Sequence, residues 1–278
     1  MTKNLFINFL FMITTTFISA QNSVIIDATI GTQSTGDFNK NEKNINITSS
    51  HALTTTTAIN NAVEYTNTSF NIKTVWNNAI EQLNNLQKVS YTLGVKQSLS
   101  SQWSIQANIN PVAAFKSNFK TSEIILLGGL GLEHSFSPKT QLTVGLQRNT
   151  YFGKKQILPT VTLHHQISNS INVDLGFPST QFSYSNNPHT TFRLSTQIQG
   201  SYYTITPQLQ DSNSNSTLQL STISSLVEFE RNIDSDWFLT FKGGYQNNST
   251  FKLTESNTVT NHNNTEGLIA AFGIKYKL

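Results

Sequence analysis

The sequence contains no cysteine among its 278 residues, which excludes a disulfide framework and any cysteine-based metal site or nucleophile. Charge is scarce as well. Asp, Glu, Lys and Arg make up 12% of the chain, about half the share of an ordinary soluble domain. The formal net charge is +3 and no basic run occurs, so no nucleic-acid partner is expected. Beyond the first twenty residues no apolar stretch is long enough to cross a bilayer as a helix, so any insertion there must use strands. The place of the missing ions is taken by Asn, Thr, Ser and Gln, which hydrogen-bond to water without the desolvation cost of charge.

The amino terminus has the layout of a secretory signal. Lys3 supplies a positive start, Leu5 to Ile18 is an apolar run relieved by Asn8 and Thr14 to Thr16, and Ser19-Ala20-Gln21 offers small residues for cleavage after Ala20. The run is shorter than the roughly 20 residues of a spanning helix, so residues 1–20 are expected to be a cleaved signal peptide rather than an anchor. Composition does not shift sharply after that point. Residues 21–278 therefore read as one all-β domain.

Period-two alternation recurs from Val89 onward, placing one face of each strand on oil and the other on water. Val89, Tyr91, Leu93 and Val95 share a face, as do Trp103, Ile105, Ala107 and Ile109 after a turn at Ser100-Ser101. The same pattern marks Leu142 to Leu146, Val161 to Ile167, Ile171 to Phe177 and Phe192 to Tyr202. Near the carboxyl end Trp237, Leu239, Phe241 and Tyr245 share a face, and Leu268, Ala270, Phe272, Ile274, Tyr276 and Leu278 share another. A terminal strand of this kind is how an outer-membrane barrel presents itself to the barrel-insertion machinery, although its last residue here is Leu278 rather than an aromatic.

Connection lengths carry the topology. Short turns fall at Ser137-Pro138-Lys139, Ser168-Asn169-Ser170 and Asp234-Ser235-Asp236, whereas longer polar links fall at Lys116 to Ser122, Asp211 to Thr217 and Gln246 to Thr265. Barrels put short turns on the periplasmic side and long loops outside. Trp103 and Trp237 each follow a short turn, where an interfacial aromatic belongs. Keeping this alternation requires one more reversal between Phe177 and His189, with a short strand around Gln181 to Tyr184. Three weaker strands before Ser69 bring the count to about 14, with 12 as the alternative. The sequence thus predicts an all-β, antiparallel transmembrane β-barrel of about 12–14 strands behind a signal peptide. Val75 to Leu86 interrupts the pattern with Trp76, Ile80, Leu83 and Leu86 at helical spacing, which suits a loop helix on the rim or a plug in the lumen.

Several short segments resemble a family of uncharacterised outer-membrane barrel proteins of Bacteroidota, mainly over residues 83–203. They are Val89-Ser90-Tyr91-Thr92-Leu93-Gly94, Trp103-Ser104-Ile105, Gly128-Gly129-Leu130-Gly131, Phe152-Gly153 followed by Leu158-Pro159, and Leu175-Gly176-Phe177-Pro178. The resemblance implies a barrel in the bacterial outer membrane and supplies no substrate, reaction or functional residue.

Chemistry-bearing motifs are few. His164 and His165 are strand neighbours that point to opposite faces and cannot chelate one ion together, so no metal is expected. No Gly-x-Ser-x-Gly elbow accompanies the abundant serines, and neither an enzyme activity nor a cofactor is expected. The run Gly128 to Gly131 lacks the Gly-Lys-Ser/Thr of a phosphate loop and reads as close strand packing. The one constellation to emerge is ionic: Lys96, Glu133, Asp174, Arg193, Glu228 and Lys242 all alternate with apolar neighbours and would face a lumen. They suit either salt bridges filling a narrow barrel or a solute lining, and their mixed signs argue against a strongly ion-selective pore. The expected partners are outer-membrane lipid and the insertion machinery, and the expected role is a passive pore or a structural envelope protein. A surface-binding module built on the long loops, or a secreted β-sandwich, are the alternatives.

Overall fold

The computed structural model of the chain describes residues 23–72, 83–116, 119, 121–205, 216–255, 258–263 and 265–278. The described residues form strands β1 (Ser23–Thr35), β2 (Phe38–Ala52), β3 (Thr57–Ile72), β4 (Leu86–Ser98), β5 (Trp103–Phe115), β6 (Ile124–Ser137), β7 (Thr140–Asn149) and β8 (Gln156–Ser168). They continue through β9 (Ile171–Phe177), β10 (Ser179–Asn187), β11 (Thr190–Ile205), β12 (Ser216–Asp234), β13 (Trp237–Glu255), β14 (Thr258–Asn263) and β15 (Gly267–Lys277). Each strand from β1 to β13 pairs antiparallel with the next, and β15 closes the ring by pairing with β13 on one edge and β1 on the other. β14 pairs with β13 beyond the ring, so the wall has fourteen strands. Closure pairs every strand of the wall on both of its sides, which is the condition for a sheet to cross a bilayer.

Burial is inverted relative to a soluble protein. The large apolar side chains stand on the outer face, with Ile157 and Leu268 both 68% exposed. A continuous apolar exterior of this extent needs oil against it. Cross-strand register stacks the outer face into rows: Tyr184, Phe192, Phe229, Phe241 and Phe272 lie opposite one another on β10, β11, β12, β13 and β15. Ring centroids of 5.2 Å for Phe192–Phe229 and 5.1 Å for Phe241–Phe272 make these aromatic pairs the unit that holds neighbouring strands. Trp103 packs on His134 at 4.3 Å and Trp237 on Tyr276 at 4.8 Å, both beside the short turns.

The two ends of the barrel differ. At the turn end the connections at 53–56, 99–102, 138–139, 169–170, 188–189 and 235–236 are short. At the opposite, loop end the expected alternation of lengths is broken by a two-residue turn at 36–37 and by the single Pro178 between β9 and β10. The expected loop at Gln246 to Thr265 is corrected: β13 runs on to Glu255 and turns back as β14. Above the bilayer a strand meets water on its outer side, so the apolar alternation that marks strands elsewhere is lost among Asn, Ser and Thr. Most of the segment expected to be helical lies outside the described residues, but its last members, Leu83 and Leu86, are buried. The β-sandwich alternative is overturned by the closed ring.

β9 and β10 span only 7 and 9 residues, against 16 for β11. Above them the facing edges of β8 and β11 have no strand between, which leaves a notch in the wall. The connection between β7 and β8, residues 150–155, folds across it as a strap. Thr150 Oγ1 donates to the Gly200 carbonyl at 3.1 Å, and Ser221 Oγ donates to the Tyr151 carbonyl at 2.8 Å. Phe152 stacks on Phe177, and Lys155 sits 4.6 Å over the Tyr202 ring. Gly200 permits this approach, because a Cβ there would stand 2.0 Å from the Thr150 carbonyl oxygen.

Candidate functional site: the lumen

Alternation that puts Phe192, Val227, Phe241 and Phe272 outside must put their sequence neighbours inside, and the lumen is built from those neighbours in three layers. The lowest, toward the turn end, is ionic. Arg193, Glu228 and Lys242 face one another in register across β11, β12 and β13. Arg193 Nη1 lies 2.5 Å from Glu228 Oε1, and Lys242 Nζ lies 3.1 Å from Glu228 Oε2. Glu230, two residues on and 3% exposed, receives Lys275 at 2.6 Å, Lys277 at 2.7 Å and Arg193 at 3.3 Å. Asp27 adds a longer contact of 3.7 Å to Lys275. Charges this close hold each other in place and tie β1, β11, β12, β13 and β15 together.

The other three sequence-derived candidates fall elsewhere around the ring. Lys96 Nζ meets Glu133 at 2.6 Å, with Gln106 Nε2 donating to the second carboxylate oxygen at 2.8 Å. Asp174 meets His164 Nδ1 at 2.6 Å, whereas His165 points outward and contacts Thr140. The six candidates thus form three separate groups, and Lys242 alone among them borders the open part of the lumen. Glu230, Asp27, Lys275 and Lys277 were absent from the sequence-derived set. Their signal was present, since Glu228-x-Glu230 and Lys275-x-Lys277 repeat a charge on the polar face of strands already recognised.

Above the ionic layer lies a cavity of about 700 Å3. Its walls are mostly uncharged and polar, with Asn44 and Asn46 from β2, Asn108 from β5, Gln147 from β7, and Gln197 and Gln199 from β11. On the β2–β4 side Lys40 pairs with Glu42 at 2.7 Å and Lys88 with Glu64 at 3.2 Å, and Asn44 Nδ2 donates to Glu64 at 2.8 Å. Gly31 and Ala271, opposite each other on β1 and β15, keep the remaining wall low. The strap contributes Tyr151, which reaches the lumen through the notch and donates to Gln147 Oε1 at 3.0 Å. Burial pushes the Tyr151 phenol above its ordinary value, so it stays neutral across physiological pH.

The third layer lies at the loop end. Phe38, Phe70 and Phe251 come from β2, β3 and β13 and meet across the mouth, at centroid distances of 5.5 Å for Phe38–Phe70, 5.8 Å for Phe70–Phe251 and 6.1 Å for Phe38–Phe251. Leu83, Leu86, Ala114, Tyr203, Leu218 and Leu253 pack around them, and Phe251 is 1% exposed. This is the one cluster of buried apolar side chains among the described residues, and it sits inside the barrel mouth rather than between layers of structure. Such an apolar constriction excludes water by its own chemistry.

Comparison with solved structures finds outer-membrane channels. The KdgM porin is 8% identical, with a TM-score of 0.38 over 91% of this chain and 98% of its own. An outer-membrane channel from Pseudomonas putida F1 is 9% identical, with a TM-score of 0.46 over 94% and 98%. A mutant of the TodX monoaromatic hydrocarbon channel is 11% identical, with a TM-score of 0.46 over 95% and 91%. The architecture itself is read from the closed sheet of this chain. No curated protein matches the sequence. One family model matches residues 26–277, from β1 through β15 and well beyond the 83–203 stretch of the sequence resemblance, and the chain belongs to that family, described as a domain of unknown function (DUF6268).

Proposed function

We propose that the protein is a porin-like conduit of the bacterial outer membrane, closed at its loop end in the conformation described. One observation carries this reading: a polar cavity of about 700 Å3 inside a closed sheet whose outer face is apolar. The small side chains at Gly31 and Ala271 leave the cavity open on the β1–β15 side. The apolar alternation of β15 supports recognition by the insertion machinery, and the outer face supports outer-membrane lipid as the surrounding medium. Residues 1–20, as a signal peptide, would deliver the chain to the envelope, and the sequence resemblance favours a Bacteroidota host.

Two measurements test the reading. Cell fractionation is expected to recover the chain with the outer membrane in a detergent-dependent form whose gel migration slows once heat unfolds the barrel. In planar bilayers the wild type is expected to pass little KCl current, and Phe251→Ala, which removes one of the three rings at the mouth, is expected to raise it. A second reading, a surface-binding module, draws support from β13, which continues past Gln246, where its pairing with β15 ends, to Glu255. Absence of current from wild type and Phe251→Ala alike would favour it.

A further inference from the structure

We infer that the cavity between the ionic layer and the aromatic mouth takes an uncharged, polyhydroxylated solute, a sugar of one or two rings. The inference rests on the conduit reading and specifies what passes. Its volume of about 700 Å3 falls within the roughly 300–1,000 Å3 of small-molecule sites.

The charge pattern excludes an ion as the preferred occupant. The ammonium groups that border the cavity, on Lys40, Lys88 and Lys242, each stand within 3.2 Å of a carboxylate. Arg148 borders it too, but two residues on from the outward Leu146 it shares that residue's exposed face. The carboxylates on the wall are matched as well, Glu42 by Lys40, Glu64 by Lys88 and Asp27 by Lys275 at 3.7 Å, so the wall offers an ion little counter-charge to offset its lost hydration. An apolar solute could rest on Leu127, Leu220, Leu226 and Ile269, but it would strip water from the amides of Asn44, Asn108, Gln147 and Gln199 and return no hydrogen bond to them.

What remains is a partner that both donates and accepts hydrogen bonds without charge. A side-chain amide presents both a carbonyl and an NH2 group, and a sugar hydroxyl likewise donates and accepts. Two tyrosines complete the match. Tyr203, under the mouth, and Tyr151, at the notch, bring aromatic rings to a chamber whose wall carries amides and hydroxyls beside the paired charges and a few aliphatic side chains such as Leu226 and Ile269. A pyranose has apolar C–H faces and hydroxylated edges, so rings plus amides meet both parts of its surface. Gly31 and Ala271 supply the clearance.

The test uses the full-length protein in liposomes with lactose and lactobionate, which differ chiefly by a carboxylate. In Phe251→Ala, with wild type alongside, lactose is expected to enter at least about tenfold faster than lactobionate, because an unpaired charge must be desolvated. Gln147→Leu and Gln199→Leu, each removing one amide, are expected to lower lactose entry about fivefold. Ala271→Trp, which fills the chamber, is expected to reduce it to the protein-free rate. Heat-dependent gel migration confirms that each variant has folded. KCl current with equal entry of the two probes, or lactose entry indifferent to both amide replacements, overturns the sugar assignment and leaves the conduit standing. No KCl current in wild type, Phe251→Ala or the triple variant Phe38→Ala/Phe70→Ala/Phe251→Ala overturns both.

Discussion

At the scale of single residues the account depends on which face a side chain occupies. Phe272 packs on Phe241 on the outside of the barrel, whereas Ala271 borders the cavity. Arginine at Phe272 is therefore expected to cost roughly 2–4 kcal/mol in denaturant unfolding from lipid vesicles, as a charge near the bilayer midplane does. Ala271→Arg is expected to cost far less, and an equal or larger loss there would reverse the face assignment. Glu230 gives the complementary case. It is 3% exposed and holds three cations, so Glu230→Gln leaves Lys275, Lys277 and Arg193 crowded without their shared counter-charge. The expected loss is about 3–5 kcal/mol in the same assay. A change below about 1 kcal/mol would mean that the layer is hydrated enough to behave as a surface. The faces were legible in the sequence because alternation reports them directly, and Arg193, Glu228 and Lys242 emerged from it together. Glu230 was not found, because its importance comes from Lys275 and Lys277 on a strand 45 residues away, and a period-two pattern does not reveal which strands will be neighbours.

At the scale of elements the sequence was informative where oil imposes a pattern and silent where it does not. The short β10 followed from parity alone, since an even count with turns on one side required a reversal between Phe177 and His189. The extension of β13 was read as loop because Asn247 to Thr250 carry no apolar alternation. The mouth was hidden for a related reason. Phe38 and Phe70 stand among polar neighbours on the paired β2 and β3, and only closure of the ring brings Phe251 of β13 against them. The strap was equally illegible, since nothing in Gln-Gly-Ser marks Gly200 as the point where another segment crosses. Gly200→Val is expected to displace residues 150–155, because its Cβ would overlap the Thr150 and Tyr151 carbonyl oxygens. The barrel should persist with about 1–3 kcal/mol less stability, and the Gly153 amide, which donates to Thr150 at 2.8 Å, should exchange its hydrogen markedly faster. Unchanged exchange at Gly153 would show that the strap does not depend on Gly200.

For the whole molecule the central claim is an inside-out distribution: apolar side chains toward lipid, amides and ion pairs toward a lumen that is constricted by aromatic rings at one end. That distribution explains the low charge and the abundance of Asn, Thr and Gln, which line an interior wetted by water while the strands' other faces supply the apolar exterior. It also explains why the hydrophobic core is so small, since the bilayer takes the part that a second layer of structure plays in a soluble domain. The absence of cysteine makes the claim directly measurable, because single cysteines introduced one at a time from Leu268 to Tyr276 along β15 can each carry a spin label in lipid vesicles without a background thiol. The account predicts that collisions with lipid-soluble oxygen peak at 268, 270, 272, 274 and 276, and that collisions with a water-soluble nickel chelate, where it reaches the label at all, peak at the positions between. Accessibility without a period of two, or with oxygen favouring 269, 271 and 273, would contradict it.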